Sequence, residues 1–532
     1  MAHLRVLLAC LLLLASGAGA VPVGASESGS ANGPHPAFAS VVANPLAEND
    51  RGEYVALSVT SDANLSTYTL DDGEERLQLP AVNATGTVVL TRRPAAVRRS
   101  CNRTVVAVSL PRLSNSGERL RLRRDGETVA SLAYENAPEA EVYVDGKWRP
   151  VGATDYPVAG GGSGEARGFL LPDAPAAAVA PIEQADERVL LAGYTLTSRR
   201  VTETLLRAHD RGVRVRVLVE GGPVGGTTSE QAARLDQLTA AGIDVRVVDG
   251  PATRYRYHHA KYVVADDRAT VLTENWKPSG VGGASSRGWG ATVADETVVS
   301  RLAATFIGDF TYRAATPWRQ FREGETFTSE PPASGSFRSR TEPASLNYES
   351  VSLLTAPDNA ETAVVRRIER AESSVRVLQV SVGGVDQSLV AATVEAARRG
   401  VEVRILLSSA WYVEEENQRV VDRLNRIAER EELSLTARLA RPRGYEKVHA
   451  KGVVVDETVV LGSMNWNDNA ARENREVLLA LSGGEVPGYY RDAFDRDWQA
   501  SGDGGERPMG LVAVLGALAV GCLLAARRLQ FE

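Results

Sequence analysis

The sequence predicts a multidomain chain: an all-β sandwich, then a duplicated α/β core of mixed sheets with flanking helices, then one transmembrane helix. Three observations carry this prediction. Before residue 150 the apolar residues alternate in short runs broken by turn residues, the period of half-buried strands. After it, a strand–helix–strand order occurs twice at a nearly constant spacing, and close to the end an 18-residue run carries no charge. A length of 532 residues also asks for about three domains.

Residues 1–20, "MAHLRVLLACLLLLASGAGA", join a basic Arg5 to a leucine-rich run and the small-residue exit Ala18-Gly19-Ala20, the pattern of a secretory signal peptide. Cys10 lies in this run and Cys522 in the apolar run near the other end. Cys101 is then the one cysteine of the exported part, which excludes an internal disulfide there.

Residues 36–150 hold the runs "EYVALSVT", "TGTVVLTRR", "TVVAVSL", "RLRLRR" and "TVASLAY", with "DDGEE" and "RDGET" as hairpin turns. This spacing predicts a small sandwich. The opening "VVANP", the strand start Gly52-Glu53-Tyr54 and the closing "DGETVASLAY" resemble the lamin-tail family of immunoglobulin-like domains. That resemblance implies adhesion or presentation rather than chemistry.

Residues 151–168 include "PVAGGGSGEARG", expected to be a flexible connector. In residues 169–322, "ERVLLAGYTL" reads as a buried strand, "RRVTETLLRAHDRG" as an amphipathic helix closed by Gly212, and "VRVRVLVE" as a second strand. Residues 346–500 repeat the order with "SSVRVLQVSV", "SLVAATVEAARRG" closed by Gly400, and "VEVRILLSS". Gly212 and Gly400 lie 188 residues apart, and His259 and His449 lie 190 apart. The chain therefore contains an internal duplication.

Residues 323–345 read as a surface linker and 501–508 as a spacer. The uncharged run 509–526, at about 1.5 Å per residue, reaches roughly 27 Å, close to the hydrocarbon thickness of a bilayer. Arg527 and Arg528 follow it, so the positive-inside rule puts the tail 527–532 in the cytoplasm. The expected protein is single-pass in the cell membrane, with its ectodomain outside. Its formal net charge of −7 argues against gripping nucleic acid through bulk positive charge, although "RYRYHHAK" and "RLARPRGYEK" set cations beside the segments that follow.

The chain has six histidines and five lysines. Yet "HHAKYVVADDRATVLTENW" places His259, Lys261 and Asp266 in H-x-K-x₄-D, and "HAKGVVVDETVVLGSMNW" places His449, Lys451 and Asp456 in the same pattern. Thr273 and Asn275 follow the first, and Ser463 and Asn465 the second, at matching counts. On a strand, residues two apart share a face, so each imidazole has a cation beside it, with an amide and a hydroxyl as neutral donors. Two such half-sites facing each other would clamp one phosphate. His209 on its helix and His258 on the opposite strand face read as ordinary histidines. Trp276 and Trp466 serve packing or pocket wall equally well. No zinc spacing and no H-E-x-x-H is present, so no metal is expected.

The paired motif resembles the phospholipase D superfamily over residues 168–500. The resemblance implies metal-independent, cofactor-free phosphodiester exchange in two steps: one histidine attacks phosphorus, and the other protonates the leaving alcohol and then activates water. By analogy His259 is the nucleophile and His449 the acid and base. Lys261, Lys451, Asn275 and Asn465 stabilise charge, and Asp266 and Asp456 support the motif. Glu476, in "NREV", is expected to accept from a histidine Nδ1, whereas the matching stretch "GWGATV" of the first half offers no carboxylate. That gap predicts two unequal half-sites. The phosphodiester substrate is left open between phospholipid and DNA or RNA, with headgroup exchange as a third possibility. An adhesin or catalytically weak phosphate-binding protein is the reading from another class. Two half-sites in one chain suggest a monomeric active unit with an internal pseudo-twofold axis.

Overall fold

The computed structural model describes residues 35–46, 48–98, 103–250 and 253–502. The expected signal peptide, Cys101, the transmembrane run 509–526 and the tail 527–532 lie outside them. Among the described residues no helix is long and apolar enough to cross a membrane.

The N-terminal unit consists, among the described residues, of a six-stranded and a four-stranded sheet. Its longest pair sets Tyr54–Asn64 antiparallel to Asn83–Thr91. Val55, Leu57 and Val59 join Val88 and Leu90 in the core between the sheets, while Ala56 and Val89 face the other way onto Val97 and Val105. Period-two alternation is what assigns the two sets to opposite faces.

Each later half builds a mixed sheet from three parallel strands followed by antiparallel ones. In the first half Arg188–Gly193, Arg214–Glu220 and Asp244–Val248 are parallel, and Tyr262–Ala265 runs antiparallel to the first of them. In the second, Ser374–Gln379, Glu402–Leu407 and Leu435–Leu439 are parallel, and Gly452–Val455 runs antiparallel. The crossover helix Arg199–Asp210 begins where Ser198 accepts from the Val201 amide, and it buries Val201, Leu205 and Ala208 along one stripe. Gly212 and Gly400, at φ 94° and 96°, take the left-handed turn that ends each crossover helix.

One face of each sheet packs on its own helices, as with Val189, Leu191 and Val217 in the first half. The other faces meet in a shared core that joins Tyr262, Val264 and Trp289 to Val454, Leu461 and Leu479. The two halves are therefore one packed body.

Two expectations need correction. The glycine-rich stretch is not a flexible connector: Ala159–Gly161 pairs with Ser350–Ala356 of the second half, and Gly164–Leu171 pairs with Ser286–Val293 of the first. Its glycines answer close packing, since a β-carbon at Gly164 would lie 2.6 Å from the Tyr348 hydroxyl, and one at Gly161 would overlap the Asp295 carboxylate. Likewise Ala344–Tyr348, at the end of the surface linker, pairs with Gly164–Leu171 in the first half's sheet. Each half thus lends the other an edge strand.

Candidate active site

His259 and His449 sit in extended segments just before the strands Tyr262–Ala265 and Gly452–Val455. Each segment is laid against a strand of the opposite half. The His259 amide donates to the Arg475 carbonyl at 3.0 Å, and the His449 amide donates to the Arg287 carbonyl at 3.0 Å. Lys447–Val448 runs parallel to Ser286–Val293, with Val448 opposite Arg287; in the mirrored contact His258 lies opposite Arg475. The next position along is therefore Glu476 beside His259, and Gly288 beside His449.

The carboxylate of Glu476 follows from that register. Its two oxygens lie 2.8 and 3.0 Å from His259 Nδ1, and Asn474 Nδ2 donates to one of them at 3.1 Å. Burial pushes the Glu476 carboxyl up, but His259 and Lys261 draw it down further, and it ends below its ordinary value. Burial draws the His259 imidazole down and outweighs the pull of Glu476, so it too lies below its ordinary value. A charged carboxylate bonded to a neutral imidazole fixes the proton on Nδ1 and leaves the lone pair on Nε2. His259 Nε2 is buried without a hydrogen-bond partner.

His449 has a carboxylate that the sequence reading missed: Glu274 Oε2 lies 3.1 Å from its Nδ1. Lys451 Nζ stands 3.3 Å from the same ring and 2.9 Å from the His449 carbonyl. Burial first, and then Lys451, Lys447, Lys261 and the His259 ring, hold this imidazole well below its ordinary value of 6.5. Because the lysine of the opposite half acts on each imidazole, the two H-x-K segments form one electrostatic site. Both lysines are almost fully buried. Lys261 donates to the His259 carbonyl at 2.7 Å and stands 5.4 Å from the centre of the Tyr194 ring, which itself packs edge-on to His259.

Asn275 and Asn465 are buried with Oδ1 unpartnered. The hydroxyls of Thr273 and Ser463 turn instead to the strands beside them, accepting from the amides of Trp289 at 2.9 Å and Val477 at 3.0 Å. As acceptors they fasten the ends of their own strands, a contact that leaves the hydroxyl protons for donation, and Ser463 bonds the Glu476 carboxylate. Trp276 and Trp466 are packing residues: both are buried in helix-side cores, and Trp276 Nε1 donates to the Ala192 carbonyl at 2.8 Å.

Asp266 and Asp456 lie apart from this group. Each lies five positions beyond its lysine, past a four-residue strand, about 16 Å at the usual rise. Asp266 accepts from the amides of Asp186, Glu187 and Arg188, and Asp456 from those of Glu372, Ser373 and Ser374. Burial disfavours both charges, but at Asp456 the Ser373 hydroxyl at 2.6 Å and the amides, and at Asp266 the amides and Arg188, more than offset it, and both carboxyls lie below their ordinary value. They anchor the loops that launch the first parallel strand of each half, so placing them among catalytic groups is corrected to a structural position.

Behind the histidines stand two matched posts. Arg287 is ringed by Asp173 at 2.8 Å, Asp497 at 3.1 Å and the Tyr445 ring; Arg475 by Asp309 at 3.0 Å, Asp358 at 2.9 Å and Tyr255. In each post one aspartate belongs to the arginine's own half and one to the other half. Only the first half adds His258, whose Nε2 lies 3.4 Å from Asp309, and Glu220, which accepts from the amides of His258 at 2.7 Å and Gly222 at 2.9 Å. Burial pushes the Glu220 carboxyl up to about 7. Among the described residues no group of three or more His, Cys, Asp or Glu is placed to hold a metal.

The family model described as "cardiolipin synthase, PLD-like domain" matches residues 179–310 and 364–498, half of the chain and one match in each half. The chain belongs to the phospholipase D-like family. Among curated proteins, the mitochondrial cardiolipin hydrolase of Xenopus tropicalis is 34% identical to this phospholipase D-like chain over 113 residues, 21% of the chain and 49% of that protein. The match thus spans about half of that relative's length. Among solved structures, the phosphatidylserine synthase of Haemophilus influenzae is 14% identical, covering 63% of this chain and 86% of its own, at a TM-score of 0.48. The phospholipase D family member Nuc of Salmonella typhimurium is 14% identical, covering 29% of this chain and 97% of its own, at a TM-score of 0.26.

Proposed function

We propose that this chain is a phosphodiesterase that exchanges its ester through a phosphohistidine at His259. The observation carrying this reading is the state of the His259 ring, with Nδ1 held by Glu476 and Nε2 buried and unpartnered beside two lysines. In the first step Nε2 attacks phosphorus, the N–P bond forms, the P–O bond to the alcohol breaks, and His449 gives its proton to the departing oxygen. In the second, His449 takes a proton from water, whose oxygen attacks phosphorus and releases His259. The free protein keeps His449 neutral; the entering anionic diester supplies the counter-charge that lets it carry a proton. Lys261, Lys451, Asn275 and Asn465 act on the non-bridging oxygens.

We assign the substrate to phospholipid headgroup esters. The name of the Xenopus relative points to lipid, and so does the loop after Glu402–Leu407. There Trp411 is 88% exposed, no charge occurs from Ser408 to Val413, and Glu414, Glu415 and Glu416 follow. Trp and Tyr at a surface suit a membrane interface, whereas three glutamates beside the loop repel a polyanion. Tyr412 ties the loop to the site through Lys447, whose Nζ lies 5.1 Å from its ring centre. An exported, membrane-anchored enzyme, as the two terminal apolar runs suggest, would meet such a surface from outside the cell. Cleavage of extracellular DNA and a phosphate-binding surface protein are the competing readings.

The test assays full-length protein in EDTA on phosphatidylcholine vesicles, single-stranded DNA and duplex DNA, beside His259→Ala and His449→Ala. Headgroup release that survives EDTA and vanishes in both variants is expected, and intact-mass detection of a phosphatidyl adduct on His449→Asn would identify the intermediate. DNA cleavage without headgroup release would move the assignment to a nuclease. Full turnover in either alanine variant would remove the mechanism.

A further inference from the structure

The apparent gap in the first half is filled from another part of the chain. Aligned through the duplication, Glu476 corresponds to Gly288, 188 residues earlier, and Met464 corresponds to Glu274, 190 earlier. The two halves have thus exchanged a pair of residues: glutamate on the strand with methionine after the motif in one, glycine on the strand with glutamate after the motif in the other.

The packing explains why the exchange comes as a pair. A β-carbon built on Gly288 would overlap Cγ of Glu274 and stand 2.8 Å from its Oε1. The side chain of Glu274 therefore occupies the volume that a glutamate at position 288 would need. Its Oε2 reaches 3.1 Å from His449 Nδ1, the contact that Glu476 makes with His259 at 2.8 Å. Glu274 is 2% exposed, and a carboxylate at that depth is costly unless it is paired.

We propose that Glu274 is the positioning carboxylate of His449, delivered from the loop into the slot that Gly288 vacates, and that the half-site lacking the strand glutamate is therefore complete. The inference rests on the phosphohistidine reading for its kinetic consequence but not for its geometry. The groups facing His449 are Glu274, Lys451, Lys447, Lys261 and His259. Among these Glu274 is the only anion, so it alone favours the imidazolium that an acid catalyst must become. Glu476 does the same for the nucleophile, which must be unprotonated. The two carboxylates consequently govern opposite limbs of the pH profile.

The test compares Glu274→Gln, Glu476→Gln, Glu274→Met, Gly288→Glu and the double variant Glu274→Met/Gly288→Glu, each checked for folding by thermal melting. Glu274→Gln is expected to lower kcat on the order of tenfold to a hundredfold and to move the alkaline limb to lower pH, whereas Glu476→Gln moves the acid limb. Gly288→Glu alone overcrowds the slot and loses activity. The double variant, which copies the second half, regains most of what Glu274→Met loses. Nitrogen-15 NMR of the histidine rings follows the Nδ1 proton and the titration of His449 without any substrate. This readout separates failure of the carboxylate assignment from failure of the enzymatic reading. An unchanged His449 tautomer and titration in Glu274→Gln, or a folded double variant that restores neither the NMR signature nor turnover, would overturn the proposal.

Discussion

His449 and Glu220 are both buried beside the reaction centre, and their protons are linked to folding in opposite senses. His449 resists protonation in the folded chain, so its share of the stability is complete above its unfolded value of 6.5 and drains away as pH falls toward its lower folded value. Glu220, raised from 4.5 to about 7, keeps its proton in the folded chain over a range where the unfolded chain has lost it. It therefore costs stability as pH rises through that window, with the full penalty above about 7. Gln at position 220 keeps one amide contact and loses the titration. Relative to the parent, Glu220→Gln is expected to gain stability between about pH 5 and about pH 8, read from urea midpoints; a constant difference would show that the carboxylate does not titrate in that range. The histidines and lysines of the site were legible residue by residue because their spacing repeats. Glu274 was not, because its signal is an exchange with Gly288 that appears only when the two halves are aligned through a shared register.

Among the elements, two loops bear on the proposed lipid substrate. The loops that follow the strands Arg214–Glu220 and Glu402–Leu407 occupy related positions, and neither carries a charge in its first six residues. The first is tied to the site where the Val224 amide donates to the Tyr194 hydroxyl at 2.6 Å; the second presents Trp411. If these loops meet a bilayer, Trp411→Ala should lower turnover of phosphatidylcholine vesicles severalfold while turnover of a dispersed short-chain lipid is kept, and flotation with vesicles should weaken in parallel. Equal loss on both substrates would place Trp411 in packing or chemistry instead. The glycine-rich stretch before the first half shows where element reading fails. Composition marks Pro157 to Gly168 as flexible, yet the same glycines serve close contact with Asp295, Tyr348 and Leu346. Composition alone does not distinguish the two uses of glycine.

Across the whole molecule, the arginine posts join the halves. Arg475 is fully buried, reaches Asp309 and Asp358, and donates to the hydroxyls of Tyr255 and Thr154. Its carbonyl accepts from the His259 amide, so the post that welds the halves also sets the height of His259. Arg475→Met leaves two buried aspartates without their cation and is expected to cost about 3–5 kcal/mol in denaturant unfolding, with activity lost even where the protein remains folded. A loss under about 1 kcal/mol would mean that the aspartates find other partners. The N-terminal sandwich joins the same network: Arg256 pairs with Glu139 at 3.0 Å and with Glu473, three residues before Glu476.

By itself the sequence determined the duplication, the two H-x-K pairs, the strand–helix–strand order of each half and the sandwich before them. These are local or periodic features, and period and spacing survive without coordinates. Only the tertiary structure decided which carboxylate touches which histidine, that the motif aspartates anchor loops away from the histidines, and that each half lends the other's sheet a strand. Those are consequences of pairing between segments distant along the chain, for which neither a period nor a short-range spacing exists to be read.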